Sequence, residues 1–163
     1  MKVATPEDVF FQHAKNGDSK DMNVDGSTTA VHFDVLPSSG PLYIQRCNIL
    51  IIDNNQTPTK FGGLSALDEG VMVRVIEADG TVLKDFLDGE TIKKNADWVK
   101  LAGTDDPIRS PTSGDDEFAV RWTLTKGLGA PLYLCTGRLL RYTIQDDLSN
   151  LTQFEIMAQG TTG

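Results

Sequence analysis

The chain has 163 residues, a length typical of one domain that buries its own hydrophobic core. Acidic side chains outnumber basic ones by 23 to 15, giving a net charge of −8, which argues against nucleic acids and anionic membranes as partners. No secretory signal and no membrane helix are predicted, because no apolar run is long enough. The two cysteines, Cys47 and Cys135, are expected to be free thiols in a reducing cytoplasm, and a single bridge between them is the alternative.

The N-terminal region carries a weak strand signal. Residues 8–12 alternate enough to indicate a short strand, but the flanking residues do not extend the pattern. We therefore expect a single domain that spans residues 1–163, in which residues 1–26 form an N-terminal arm. The small, polar residues 160–163 are expected to form a flexible tail.

A candidate ion site follows in the segment Asp21-Met22-Asn23-Val24-Asp25-Gly26. This D-x-N-x-D-G pattern matches the first six positions of a calcium loop and makes Asp21, Asn23 and Asp25 candidate metal ligands. The match ends at position twelve, where His32 replaces the bidentate glutamate. The alternative interpretation is an Asn/Asp/Gly turn that leads into the next strand.

Most of the remaining apolar residues recur at every second position, which is typical of half-buried strands. The alternating segments, in chain order, are 31–35, 70–76, 81–86, 118–125, 140–145 and 154–159. Asp79-Gly80 between two of these segments is a strong hairpin signal. The alternation in segment 118–125 places Trp122 in the core.

The segment from Leu42 to Asp53 has two conflicting parities. Leu42 and Ile44 occupy even-numbered positions, whereas Cys47, Ile49 and Ile51 occupy odd-numbered ones, so a regular strand would point the two sets to opposite faces. A β-bulge near Gln45-Arg46 would bring both sets to the same face. The alternative is a central strand that is buried on both faces.

Helical signal is confined to Asn95–Leu101. One or two turns capped by Asn95 are expected, with Trp98 and Leu101 packed inward. About eight short strands joined by polar loops predict an all-β fold. We expect an antiparallel β-sandwich of jelly-roll type with at most one short helix.

No pattern of catalytic residues emerges. There is no GxSxG motif, neither cysteine lies in a catalytic motif, and His13 and His32 are the only histidines. Adjacent aspartates such as Asp146-Asp147 point to opposite faces of a strand and are expected to form turns and caps. The sequence therefore predicts a protein that is not an enzyme.

Four arginines lie mid-strand at positions predicted to face away from the core: Arg46, Arg74, Arg121 and Arg141. One interpretation is cross-strand pairing with Glu77, Asp85 or Glu155, which contributes little per pair. The other is an interface, in which several of these arginines share one sheet face and anchor an acidic partner. Both interpretations stay open at this point.

Several strings resemble small structural proteins of tailed-bacteriophage virions. They are Phe61-Gly62-Gly63-Leu64-Ser65-Ala66-Leu67-Asp68-Glu69-Gly70, Asp79-Gly80-Thr81-Val82-Leu83, Val120-Arg121-Trp122-Thr123, and the ending from Ile144-Gln145-Asp146-Asp147-Leu148-Ser149 through Gln159-Gly160. The resemblance covers most of the chain from Gly26 onward. It implies a non-enzymatic capsid decoration (cement) protein that oligomerises and stabilises the shell, or alternatively a neck or tail component.

The same resemblance implies the partners and the location. The partners would be the major capsid protein or other virion subunits, together with further copies of the chain, and assembly would take place in the host cytoplasm. A β-sandwich edge, or a Gln/Thr-rich strand such as Thr152 to Gln159, is expected to join a neighbour's sheet. No cofactor other than the candidate calcium ion is expected. A calcium-assisted carbohydrate-binding module is the second alternative, because it would use the same sandwich with exposed aromatic side chains.

Overall fold

The computed structural model describes residues 9–15, 22–103, 107–111 and 116–163. In these ranges the chain forms ten strands and two short helices. The strands are β1 Val9–Lys15, β2 Val31–Val35, β3 Leu42–Asp53, β4 Val71–Glu77, β5 Val82–Asp85, β6 Pro107–Pro111, β7 Asp116–Thr123, β8 Leu132–Leu134, β9 Arg138–Ile144 and β10 Gln153–Thr162. The helices are α1 Asn95–Ala102 and α2 Leu124–Leu128. The all-β prediction is confirmed.

The strands form two antiparallel sheets. The six-stranded sheet has the order β1-β10-β3-β7-β6, and β8 pairs with the first residues of β3. The four-stranded sheet has the order β2-β9-β4-β5. The first four strands therefore alternate between the two sheets, and the last two strands lie beside the first two.

The two sheets pack face to face through a shared core of apolar side chains. Phe33 on β2 meets Phe154 on β10, with ring centroids 6.5 Å apart. Phe86, just after β5, packs edge-on against Trp122 of β7 at 4.8 Å. Trp122 is 5% exposed, which confirms the predicted core position. Both contacts join residues from opposite sheets, as an antiparallel sandwich requires.

A β-bulge in β3 resolves the conflict between its two parities. Arg46 pairs with Gln159 of β10 and Ile44 pairs with Gly160, so Gln45 is the extra residue. The bulge lets Ile44 and Cys47 both face the core, where they are 1% and 0% exposed. The predicted bulge is confirmed, and the alternative of a strand buried on both faces is not needed.

The two ends of the chain differ from the expectation. Residues 160–162 continue β10 and pair with β3, so they are not a flexible tail. Within the predicted arm, Val9–Lys15 forms β1 and pairs with β10. Residues 1–8 and 16–21 lie outside the described ranges. Since β10 lies between β1 and β3, both of its edges are occupied, and it is not the strand that would join a neighbour's sheet.

Helix α1 forms where it was predicted, but Asn95 is not its cap. Lys94 is the N-cap residue, and the Asp97 carboxylate accepts the backbone N–H groups of Lys93 and Lys94 at 3.0 and 3.2 Å. Asn95 is instead fully buried, and its amide donates to Gln56 Oε1 at 3.0 Å. Asn95 therefore ties the helix to the loop after β3.

The expectation of at most one short helix was wrong. The chain forms a second helix, α2, directly after β7, although the alternating pattern predicts a strand through Thr125. Leu124 remains buried at the start of this helix, so the apolar residue that continued the alternation packs against the core from a helical turn. Over so few residues, alternation in the sequence does not distinguish a strand from a helical turn.

The predicted β4–β5 hairpin is confirmed. Glu77 donates its N–H to the Thr81 carbonyl at 2.9 Å, and the Asp79 carboxylate accepts the Thr81 N–H at 2.9 Å. Gly80 has φ +90°, a conformation that L residues with a side chain rarely adopt. The Asp-Gly pair thus closes the turn for the reason that made it recognisable in the sequence.

Candidate functional site

The four candidate arginines divide between the two outer faces of the sandwich. Arg74 and Arg141 lie on β4 and β9 of the four-stranded sheet, whereas Arg46 and Arg121 lie on β3 and β7 of the six-stranded sheet. A single stripe of four arginines therefore does not form. The two pairs of arginines differ in whether a carboxylate lies beside them.

The arginines of the four-stranded sheet are neutralised inside the chain. Arg141 donates from Nε and Nη2 to the two carboxylate oxygens of Asp34, at 2.7 Å each. Arg74 donates from Nε to Asp85 Oδ2 at 2.8 Å. The register sets Arg74 opposite Arg141, so a row of Asp34, Arg141, Arg74 and Asp85 crosses all four strands.

The pKa directions agree with this pairing. Burial alone would raise the pKa of Asp85, but the Leu87 N–H and the Arg74 guanidinium outweigh it, and the pKa is lowered. The hydrogen bonds to Asp34 raise the pKa of Arg141. For these two arginines, the interpretation as cross-strand ion pairs is the one that the contacts support.

Arg46 and Arg121 have different surroundings. Arg46 lies opposite Gln159 and Thr123, and Arg121 lies opposite Asn48. Among the side chains that the structure describes, no carboxylate pairs with either guanidinium. Arg121 is exposed and Arg46 is half-buried. Two cations that have no carboxylate partner among the described side chains therefore share one outer face of a chain whose net charge is −8.

Two exposed tyrosines lie on the same outer face. Tyr43 is directly opposite Tyr133 of β8, their ring centroids are 5.2 Å apart, and the two residues are 37% and 46% exposed. Tyr43 precedes Arg46 by three residues on β3, which corresponds to about 10 Å along the strand. We call this surface the tyrosine–arginine face; it comprises Tyr43, Arg46, Arg121 and Tyr133.

Sequence reasoning missed both tyrosines. Tyr43 lies between two buried residues of β3, Leu42 and Ile44, so the alternation already placed it outward. Tyr133 lies in a strand of three residues, which is too short to show a period. The signal for Tyr43 was present in the pattern, whereas that for Tyr133 depends on the pairing of β8 with β3.

The candidate calcium ligands are only partly described. Asp21 lies outside the described ranges. Asn23 Oδ1 accepts the Asp25 N–H at 3.0 Å, and Asp25 Oδ1 accepts the N–H and hydroxyl of Ser27 at 3.0 and 2.6 Å. These contacts are Asx turns, which the alternative interpretation of the segment expects. In the ranges that the structure describes, no three His, Cys, Asp or Glu residues cluster to hold a metal ion.

Asp146 and Asp147 fix local backbone, as their sequence context predicted. The Asp146 carboxylate accepts the N–H groups of Asp68, Glu69 and Gly70, at 2.8, 3.2 and 2.6 Å. The Asp147 carboxylate accepts the Ser149 N–H at 2.8 Å, and its contacts with Ser149 lower its pKa. The acidic pair therefore holds the loop before β4 and the turn after β9.

Both cysteines are free thiols. Cys47 is fully buried, and burial raises its pKa to about 12, with the Tyr142 hydroxyl beside it acting in the opposite direction. Cys135 is half-buried and lines an open cavity of about 420 Å³ together with Glu77, Asp79 and Arg138. Arg138 Nη2 lies 3.6 Å from Glu77 Oε1 there, so the charges in this cavity are partly compensated.

Comparisons with protein-family profiles, with curated proteins and with solved structures found no match to this chain. No helix in the described ranges has the length and hydrophobicity that a membrane-spanning helix needs. The tyrosine–arginine face combines two exposed aromatic rings with two arginines that have no carboxylate partner among the described side chains.

Proposed function

We propose that this protein is a non-enzymatic structural component of a tailed-phage virion, in the first place a capsid decoration (cement) protein that docks through the tyrosine–arginine face. One observation carries the proposal: Arg46 and Arg121 have no carboxylate partner among the described side chains, and they share their face with the exposed Tyr43–Tyr133 pair. Tyrosine and arginine are enriched among the residues that dominate binding energy at protein interfaces.

The strand order supports a jelly roll as the finer description of the sandwich. In each sheet, strands from the start of the chain alternate with later strands: the order is β1-β10-β3-β7 in one sheet and β2-β9-β4-β5 in the other. Two nested Greek keys produce this kind of interleaving, and viral capsid domains are among the proteins that use it. In this description β6 and β8 are additions at the margins of the six-stranded sheet.

The expected partner surface is rich in carboxylates. Two arginine guanidiniums without a carboxylate partner among the described side chains favour docking against Asp or Glu of the major capsid protein, or of another virion subunit, because guanidinium and carboxylate can pair through two hydrogen bonds. Tyr43 and Tyr133 supply rigid apolar area beside these charges. Because Arg121 is exposed, its contribution falls at high ionic strength.

Docking onto particles tests the proposal. Purified chain is added to particles that lack it, and occupancy is measured for wild type, Arg121→Ala and Tyr133→Ala. We expect each variant to bind roughly tenfold more weakly or worse, since truncation of an interface anchor costs at least about 1–2 kcal/mol. Arg138→Ala is the control, because Arg138 is a half-buried arginine on the other sheet, where it lies near Glu77. Wild-type occupancy for both test variants, with unchanged melting, would reject the face as the docking site.

Two alternatives make different predictions for the same molecule. A neck or tail component would use the same face but would be present in few copies per particle. A calcium-assisted carbohydrate-binding module is favoured by one observation, the exposed Tyr43–Tyr133 pair. Glycan-array binding that requires both tyrosines and calcium, without association with particles, would establish that second candidate.

A further inference from the structure

Strand β2 is an edge of the four-stranded sheet. Its five residues pair with β9 on one side, and no other strand of the described ranges pairs with it. Within the described ranges, one side of its backbone therefore has no strand paired to it. Its side chains alternate between the core, where Phe33 and Val35 are each 1% exposed, and the outer face, where His32 and Asp34 lie.

β2 lacks a bulge, proline and lysine, three features that commonly protect a sheet edge from pairing. Edge strands are commonly interrupted by a bulge or carry proline or lysine. In this sandwich β5 has a register shift beside β4 and carries Lys84, and β6 begins and ends with proline. The β2 segment Val31–Val35 contains none of these and pairs with β9 without a register shift.

We propose that β2 pairs antiparallel with β2 of a second copy, about a two-fold axis at Phe33, and so joins two four-stranded sheets into one sheet of eight strands. The proposal concerns the chain alone and does not depend on docking to a virion. A two-fold interface of this kind closes on itself and gives a dimer rather than a filament.

The register follows from the side chains. Pairing about Phe33 sets His32 opposite Asp34 of the second copy, and each interface contains this contact twice. Pairing about His32 would oppose two histidines, and pairing about Asp34 would oppose two carboxylates, which is unfavourable. If the pairing of the two β2 strands shifted by one residue, core-facing residues of one copy would lie opposite solvent-facing residues of the other. The core faces of the two sheets would then point in opposite directions. Only the Phe33 register keeps apolar residues together and matches unlike groups.

The side chains of His32 and Asp34 can each form one further hydrogen bond, so they can bind to each other across the proposed interface. His32 is exposed, and its Nδ1 lies 3.0 Å from Thr143 Oγ1, which leaves Nε2 for a partner. The Asp34 carboxylate already accepts two hydrogen bonds from Arg141, but each of its oxygens has a second lone pair. His32 of one copy can therefore hydrogen-bond to the Asp34 end of the row that crosses the four-stranded sheet of the other.

The dimer is expected to be weak. A strand of five residues is about 17 Å long, and interfaces that bury less than about 1,200 Å² are typically transient. Dimerisation should therefore appear as a rise in mass with concentration. On a particle surface, where copies are held close together, the same pairing would be favoured by the high local concentration.

Light scattering and sedimentation of the purified full-length chain test the pairing. We expect wild type and His32→Lys to dimerise as concentration rises, because lysine also faces Asp34 of the second copy. His32→Asp should be at least tenfold weaker, because it opposes two carboxylates. Since His32 is exposed, all three proteins should have similar melting temperatures. A mass that stays monomeric for wild type, or an equal dimerisation of all three proteins, would overturn the proposal.

Cysteine cross-linking tests the register. In a Cys135→Ser background, His32→Cys and Asp34→Cys are oxidised separately and as a mixture. Directly opposite residues have Cα atoms about 4.5–5.5 Å apart, within disulfide range, whereas diagonal positions are too distant. Only the mixture should give a cross-linked dimer. Efficient cross-linking of His32→Cys with itself would contradict the Phe33 register.

Neither the scattering test nor the cross-linking test uses particles. Their failure therefore leaves the proposed docking function unaffected, and a failure of docking leaves the proposed dimer unaffected.

Discussion

Arg74 and Arg141 stand directly opposite each other on β4 and β9, yet each guanidinium is bound on its far side by an aspartate of the neighbouring strand. Like charges in this position are normally destabilising. Asp34 and Asp85 remove that penalty and make the row electrically neutral across the four strands. The contrast with Arg46 and Arg121, which have no such partners among the described side chains, is what separates structural arginines from candidate docking arginines.

Asp34→Ala should lower the free energy of unfolding by about 1–2 kcal/mol, because it removes a bidentate charged pair and leaves Arg141 facing Arg74 without its counter-charge. Urea unfolding measures the change. Glu77→Ala is the control, since Glu77 lies 3.6 Å from Arg138 in a pair whose side chains are about 40% exposed. The control should change stability by less than about 0.5 kcal/mol. Equal losses in the two variants would contradict the account of the charged row.

Gly160→Ala should be strongly destabilising. At the β3 bulge, a Cβ on Gly160 would lie 2.1 Å from the Tyr43 carbonyl oxygen, a contact that only backbone movement relieves. Gly127→Ala is the matched control, because a Cβ there meets nothing within 4 Å and the residue lies in α2. We expect Gly127→Ala to be neutral or slightly stabilising. Similar melting temperatures for the two variants would show that the bulge does not require glycine.

Trp122→Ala should lower the free energy of unfolding by about 3–5 kcal/mol, the usual range for truncation of a buried aromatic side chain. Trp122 is 5% exposed and packs edge-on against Phe86 from the other sheet. A double-mutant cycle with Phe86→Ala should give a coupling of about 0.5–1.5 kcal/mol. An unchanged melting temperature for Trp122→Ala would place this side chain outside the core.

The two thiols should differ sharply in reactivity. Cys47 is buried and its pKa is raised to about 12, so at pH 8 a thiol reagent should modify Cys135 alone in the folded chain and both cysteines in denaturant. Because the folded pKa of Cys47 lies above its unfolded value of about 8.5, its contribution to stability is present below that pH and is lost as pH rises toward 12. Two rapidly reacting thiols in the native protein would contradict this assignment.

Much of the fold was predictable because its cause is local. Alternation placed Trp122 in the core and Asp79-Gly80 marked a hairpin. The change of face within β3 indicated a bulge near Gln45-Arg46 as one of two alternatives, and the structure has that bulge at Gln45. The cap of α1 was not predictable in the same way. Asn95 has the chemistry of a cap, but tertiary contact with Gln56 draws its amide into the interior.

The candidate site was only half predictable for the same reason. Alternation shows that an arginine faces outward, but it does not show which strand lies beside it. Asp34 is 107 residues from Arg141 in sequence, and only the β2–β9 register brings them together. Tyr133 likewise joins Tyr43 through the pairing of a short strand. Long-range register therefore decides which arginines are neutralised and which have no carboxylate partner among the described side chains.

Quantitative mass spectrometry of tailed-phage particles, purified from a culture that produces this chain, tests the proposed virion function most directly. The account predicts that the chain is a component of intact particles, in many copies and at a fixed ratio to the major capsid protein. Its absence from particles that carry their other structural proteins in normal amounts would contradict the account.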